Sequence, residues 1–168
     1  MSHVLAVVVF GLPGSGKSYF ASRLAGELDA EYLSSDVTRK DLFEKRTYST
    51  SETEAVYRHM EEAMKRALSA GKSVVLDGTF NRADARRSFT AAAKPYADLH
   101  FIEVRADRAL IERRLSKPRL HSEADLAVHD DIRLRFEPME NPDLVLESTD
   151  ENIAEMLGAA LHYLKGKS

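Results

Sequence analysis

The chain has 168 residues, 43% hydrophobic and 30% charged, with a formal net charge of −3 at pH 7 and no cysteine. These values suit one globular domain with a real core, expected in a reducing cytoplasm. They exclude disulfide scaffolds, thiolate metal centres and cysteine nucleophiles, and they argue against a protein that coats nucleic acid over its whole surface.

The first element is an apolar run over residues 4–10. It is too short to cross a bilayer and lacks the basic flank of a signal peptide, so it reads as a strand. It runs directly into Gly11-Leu12-Pro13-Gly14-Ser15-Gly16-Lys17-Ser18, which fits G-x-x-x-x-G-K-[ST] at every position. A helical pattern over 17–28 follows. Glycines at these spacings let backbone N–H groups turn inward around an anion. The helix adds its unpaired N–H groups and positive dipole end. Lys17 supplies a full charge near the β- and γ-phosphates, and Ser18 a hydroxyl for Mg²⁺. The expected ligand is a nucleoside triphosphate gripped by residues 11–18 and the adjoining Tyr19.

A second strand is predicted at 31–34, followed by Ser34-Ser35-Asp36-Val37-Thr38-Arg39 and a helix over 36–44. Asp36 and Arg39 lie three apart, on one helical face. Asp36 suits a base that takes a proton from an attacking hydroxyl. Arg39 suits a fork for an anionic or polar acceptor group. The third helix spans 52–70, with Ser51-Glu52-Thr53-Glu54 read as its capping box and Gly71 as its stop. Within it, Tyr57, Met60, Ala63, Met64 and Ala67 have core spacing.

The third strand, 73–76, ends at Asp77, a carboxylate at the sheet edge beside the phosphate loop that can hold a magnesium-bound water or an arginine. A helix over 83–94, a strand over 99–104 and a helix over 107–115 come next. Between Arg105 and Arg119 the chain is strongly basic, and it stops at Ser116-Lys117-Pro118-Arg119. A segment after the fourth strand is where a closing flap would insert, so a lid is expected at about 114–124, carrying Arg114 and Arg119. Arg105 and Arg108 read as a solvated face. Helices over 123–136 and 151–164 flank a last strand at 144–146.

Strands that are apolar on consecutive residues and alternate with helices imply a parallel sheet covered on both faces. The expected fold is α/β: a P-loop NTPase three-layer α/β/α sandwich with a five-stranded parallel sheet and a helical lid, as one domain over residues 1–168. No Asn-Lys-x-Asp segment reads guanine, which argues against a GTP switch, and a motor ATPase needs more chain. A small kinase remains. His121, His129, Asp130 and Asp131 suggest a metal site, but the two histidines are eight apart and read as part of a solvated helix.

Taken together, Gly-Leu-Pro-Gly-Ser-Gly-Lys-Ser, Ser-Ser-Asp-x-x-Arg, Val-Leu-Asp-Gly-Thr-Phe with Arg86-Arg87, and the run from Arg113 to Arg119 resemble the small AAA-type P-loop kinases. These are grouped around polynucleotide 5′-hydroxyl kinase, with zeta-toxin-like and small-metabolite kinases nearby. The likeness covers roughly residues 4–147. It implies ATP and Mg²⁺ as cofactors. Lys17 and Ser18 match the phosphate and magnesium positions, with Asp77 beside them, and Asp36 matches the general base. Arg39 matches the acceptor-holding arginine, steadied by the strand-end carboxylate Asp77. Arg114 or Arg119 matches the lid arginine on the phosphates. The acceptor stays open. Arg39, Lys40, Lys45, Arg46 and Tyr48 could line a nucleic-acid groove, and the family pattern leans to a 5′-hydroxyl end. Asp41, Glu44, Glu52 and Glu54 interrupt that patch, and a small sugar, nucleoside or sugar-nucleotide fits the net charge as well. A regulatory module that binds ATP without turnover is a further alternative.

Overall fold

The computed structural model describes residues 3–117 and 125–167. Its first strand, β1 (Ala6–Phe10), is buried along its whole length and sits at the centre of the sheet. The chain then forms α1 (Lys17–Glu27), β2 (Glu31–Ser34), α2 (Ser35–Leu42), α3 (Thr50–Ser69), β3 (Val74–Gly78), α4 (Ala83–Ala93) and β4 (Leu99–Arg105). It finishes with α5 (Arg108–Leu115), α6 (Leu126–Arg135), β5 (Leu144–Glu147) and α7 (Ile153–Leu164). The five strands run in the order β2-β3-β1-β4-β5, and every pairing is parallel. The α/β P-loop fold expected from the sequence is the one observed.

The period-two alternation of β1 divides the core into two layers. Ala6, Val8 and Phe10 face α3 and α4, packing with Val56, Met60, Met64 and Phe89. Val7 and Val9 face α1 and α7, packing with Phe20, Leu24, Met156 and Leu164. Both sheet faces are thus covered, which is why the strands needed apolar residues at consecutive positions. The Tyr57–Met60–Met64 stripe packs as its spacing predicts, although Tyr57 also reaches the site described below.

Two local expectations are corrected. The cap of α3 is Ser49, whose hydroxyl accepts from the Glu52 N–H at 3.2 Å, so the capping residue is two positions earlier than Ser51. Glu52 then takes the third helical position, where a carboxylate favours the helix start. The stop is as expected: Gly71 has φ +79°, and the N–H of Lys72 returns to the Ala67 carbonyl at 3.0 Å. The second correction is His129, which is buried instead of solvated; the adjacent Asp130 pairs with Arg108 of α5 at 2.8 Å. Its Nδ1 lies 3.3 Å from Asp130. No cluster of three metal-ligating side chains exists among the described residues. Pro118, Arg119, His121 and most of the expected lid lie outside those residues. No helix among them is long and apolar enough to cross a membrane.

Candidate active site

The phosphate loop joins β1 to α1. Its shape is forced by close packing on every side. A Cβ on Gly11 would stand 2.3 Å from the Val104 carbonyl oxygen, and one on Gly16, at φ +92°, would stand 2.7 Å from the Ser148 hydroxyl. Only glycine satisfies both the backbone angle and the contact at Gly16. The N–H of Ser15 closes the turn on the Leu12 carbonyl at 3.1 Å. Ser15 is buried and its hydroxyl has no hydrogen-bond partner among the described residues, and Lys17 is only 8% exposed.

Two cavities open from this loop. The first, about 610 Å³, is lined by Gly14, Gly16, Ser18 and Tyr19 at one end and by Ile153 and Met156 at the other. Arg114 spans its wall: Nη1 donates to the Gly14 carbonyl at 3.0 Å, and Nη2 to the Ser148 hydroxyl at 3.0 Å and the Thr149 carbonyl at 3.2 Å. Arg114 therefore clamps the phosphate loop to the segment after β5. The cost of taking its charge out of water lowers its pKa, and Asp150 opposes that shift.

The second cavity, about 410 Å³, lies on the other side of the loop and is lined in part by Pro13, Arg39, Tyr48, Thr53, Tyr57 and Asn81. Lys17 and Asp36 line both cavities. The α2 cap explains the placement of Asp36. Ser34 ends β2 and its hydroxyl accepts from the Val37 N–H at 3.3 Å, leaving Asp36 in the first helical turn, free of the capping role.

Asp77 sits at the carboxyl end of β3, opposite Val9 of β1 and Ser34 of β2. It is 2% exposed, and its Oδ2 accepts from the Tyr32 hydroxyl at 2.5 Å. Burial pushes its pKa up, while Lys17, Tyr32 and Ser18 oppose that shift. Burial and then the Asp77 charge push the Tyr32 hydroxyl up in turn. The Asp77 Oδ1 is buried without a hydrogen-bond partner among the described residues, and the Ser18 hydroxyl is close enough to stabilise the carboxylate. An orphaned hard oxygen beside a hydroxyl suits a hydrated Mg²⁺ whose other ligands come from phosphate and water.

Arg39 does not use Asp77. Its Nη1 donates to Glu52 at 2.7 Å and its Nη2 to the Thr53 hydroxyl at 3.3 Å, because α3 rather than β3 passes beside it. Glu52 is the residue that sequence reasoning missed. It also accepts from the Thr47 N–H at 2.8 Å, the Thr47 hydroxyl at 2.9 Å and the Tyr48 N–H at 3.2 Å. Burial would raise its pKa, but these donors and Arg39 overcome that and lower it from 4.5 to about 2. Tyr48 has φ +57°, a conformation uncommon for a residue with a side chain, and the same carboxylate secures it. Its ring lies 4.6 Å from the Arg39 guanidinium carbon. The signal available in the sequence was the Ser49-x-x-Glu52 spacing.

Arg86 is a brace. It is 5% exposed, donates to the Phe80 carbonyl at 3.2 Å and the Glu137 carbonyl at 2.6 Å, and lies 5.9 Å from both the Phe10 and Phe136 rings.

The sequence pattern of the AAA domain family matches residues 7–139. No curated protein matches the chain. The fold is similar to that of Mycobacterium tuberculosis APS kinase in complex with AMPPNP and APS, at 20% identity and TM-score 0.77, covering 99% of this chain and 100% of that one. It is similar to a sugar kinase from Janibacter sp. HTCC2649, at 19% identity and TM-score 0.76, covering 96% of this chain and 95% of that one. It is also similar to a gluconokinase from Sinorhizobium meliloti 1021, at 14% identity and TM-score 0.73, covering 98% of this chain and 94% of that one.

Proposed function

The chain belongs to the AAA domain family, and from that premise we propose that it is a cytoplasmic ATP-dependent phosphotransferase that moves the γ-phosphoryl group to a hydroxyl of a small molecule. The observation that carries this reading is that Lys17 and Asp36 line both cavities, so a triphosphate in one and an alcohol in the other would meet between them. The loop N–H groups and Lys17 grip the triphosphate. The acceptor oxygen attacks the γ-phosphorus, the bond to the β-bridging oxygen breaks, ADP leaves, and Asp36 receives the hydroxyl proton. Arg39, stiffened by Glu52, positions the acceptor. Arg114 draws the walls of the nucleotide cavity together. Ser18 and Asp77 would hold Mg²⁺, which supplies charge neutralisation on the phosphates. Residues 1–168 act in this reading as one domain, and the expected lid arginine Arg119 lies outside the described residues.

A small acceptor is preferred to a nucleic acid end. The kinases named above support it, being an APS kinase, a sugar kinase and a gluconokinase. The expectation of a nucleic acid end rests on the family pattern and on Arg39, Lys40, Lys45, Arg46 and Tyr48 as a basic groove. Arg39 instead points inward to Glu52, and the cavity beyond it has bounded volume. The test is transfer from γ-labelled ATP, with sugars, polyols and nucleosides in one arm and 5′-hydroxyl DNA and RNA oligomers in the other. Label entering a small molecule supports the reading. Label entering only oligomers overturns the acceptor class. Label entering neither, with ATP bound, overturns the phosphotransferase and favours a regulatory module.

A further inference from the structure

The charge of the second cavity is mostly spoken for. Among its arginines, Arg39 is held by Glu52 at 2.7 Å and Arg135 by Asp131 at 2.5 Å. Arg82 is held at two points by Asp84, at 3.1 and 2.9 Å. Among the described residues the remaining cation on the wall is Lys17, which lines the first cavity as well. The wall also carries Asp36 and Glu54, and no hydrogen bond or ion pair among the described residues engages either one. Among the described residues, pairing each arginine of the wall with its carboxylate (Glu52, Asp84 and Asp131) leaves Asp36 and Glu54 against Lys17 alone. A bound triphosphate would add further negative charge beside them. An anionic acceptor would have to compete with the protein's own carboxylates for these arginines, with a buried partner at Arg39 and with solvent-exposed ones at Arg82 and Arg135.

The uncharged wall has a different character. Thr50, Thr53, Thr79 and Asn81 supply groups that both donate and accept, beside the apolar Val128 and Ile132 of α6. That combination suits a compact molecule rich in hydroxyls. We infer that the acceptor is a polyhydroxylated small molecule without net negative charge, neutral or amine-bearing, and that Asp84 and Asp131 enforce this choice by occupying Arg82 and Arg135. The inference rests on the phosphotransferase reading and adds the acceptor's charge to it.

The experiment uses matched sets of acceptors that share a carbon skeleton and differ only in charge. One set is glucose, glucosamine, gluconate and glucose 6-phosphate; polyol and nucleoside sets are built the same way. Each is assayed with labelled ATP against the wild-type chain and the Asp84→Asn/Asp131→Asn variant. The expected result is at least a tenfold higher kcat/KM for the neutral or amine-bearing member of the best set. In the double variant, with ATP affinity unchanged, that preference falls at least fivefold as the freed guanidinium groups accept the anion. A wild-type preference for the carboxylate or phosphate member overturns the inference and leaves the phosphotransferase standing. A double variant that binds ATP and keeps the full preference overturns the role of Asp84 and Asp131. Absence of transfer to every set, with ATP bound, overturns both the inference and the activity beneath it.

Discussion

Arg39 and Glu52 are joined across thirteen positions by a 2.7 Å ion pair in which both side chains are almost fully buried. The pair ties the end of α2 to the start of α3. Because Glu52 also accepts from Thr47 and Tyr48, the same carboxylate shapes the loop that walls the second cavity. A residue that sequence reasoning treated as an interruption of a basic patch is the post on which one wall of the second cavity is built.

Removing that post should be costly. Glu52→Ala leaves a buried guanidinium and two backbone N–H groups without their acceptor, and loss of one partner of a buried pair costs about 3–5 kcal/mol. Glu52→Gln keeps an acceptor for the N–H groups and should cost less. Denaturant unfolding measures both. An alanine variant within about 1 kcal/mol of wild type, the range of an exposed pair, would show that the pair is not the support described here.

The same group makes stability depend on pH. Its folded pKa of about 2 lies below the ordinary 4.5, so the folded state favours the ionised form. The contribution is complete above the unfolded value and fades as pH falls from about 4.5 toward about 2. The stability gap between wild type and Glu52→Gln should therefore shrink across that window. Melting curves taken at steps from pH 6 downward would record it, and a gap that stays constant would count against the assignment.

Gly16→Ala tests the packing of the phosphate loop. The added Cβ would meet the Ser148 hydroxyl at 2.7 Å and Arg114 Nη1 at 3.0 Å, on a backbone at φ +92°. Strain of this kind costs about 1–3 kcal/mol, and the clash falls on the Arg114 clamp. ATP affinity should drop at least tenfold by calorimetry, with a lower melting temperature. Unchanged affinity would mean that the loop relaxes around the methyl group without disturbing the cavity.

Asp36→Asn separates binding from turnover. The change preserves shape and removes the carboxylate proposed as proton acceptor, and loss of a general base costs roughly 10²–10⁴ in rate. ATP affinity should stay within a few-fold of wild type, because the loop and Lys17 are untouched. Transfer that survives the substitution at near wild-type rate would remove Asp36 from the mechanism.

The parts of this protein legible in its sequence are those written in local patterns. The consecutive apolar residues of β1, the Gly11–Ser18 spacing and the Gly71 stop each depend on neighbours a few positions away, and all five strands lie where their patterns put them. The placement of the candidate residues was legible where it shares that locality: Lys17 and Ser18 stand at the start of α1, and Asp36 stands just after β2. Partner choice was not. The family resemblance implies that Asp77 steadies Arg39, yet Asp77 is taken by Tyr32 and Arg39 by Glu52. Which carboxylate an arginine meets depends on how α2 and α3 cross, and no periodicity encodes that crossing.

Local hydrogen bonding and side-chain alternation along the chain determined that an α/β sheet would present a phosphate loop at its edge. Only the tertiary structure decided that Arg114 would clamp that loop to the turn after β5, and that Glu52 would hold Arg39 and the Tyr48 turn. The physical reason is distance along the chain. These contacts join segments whose approach is set by the packing of whole helices and strands, and burial then makes each ion pair or hydrogen bond obligatory once the segments have met.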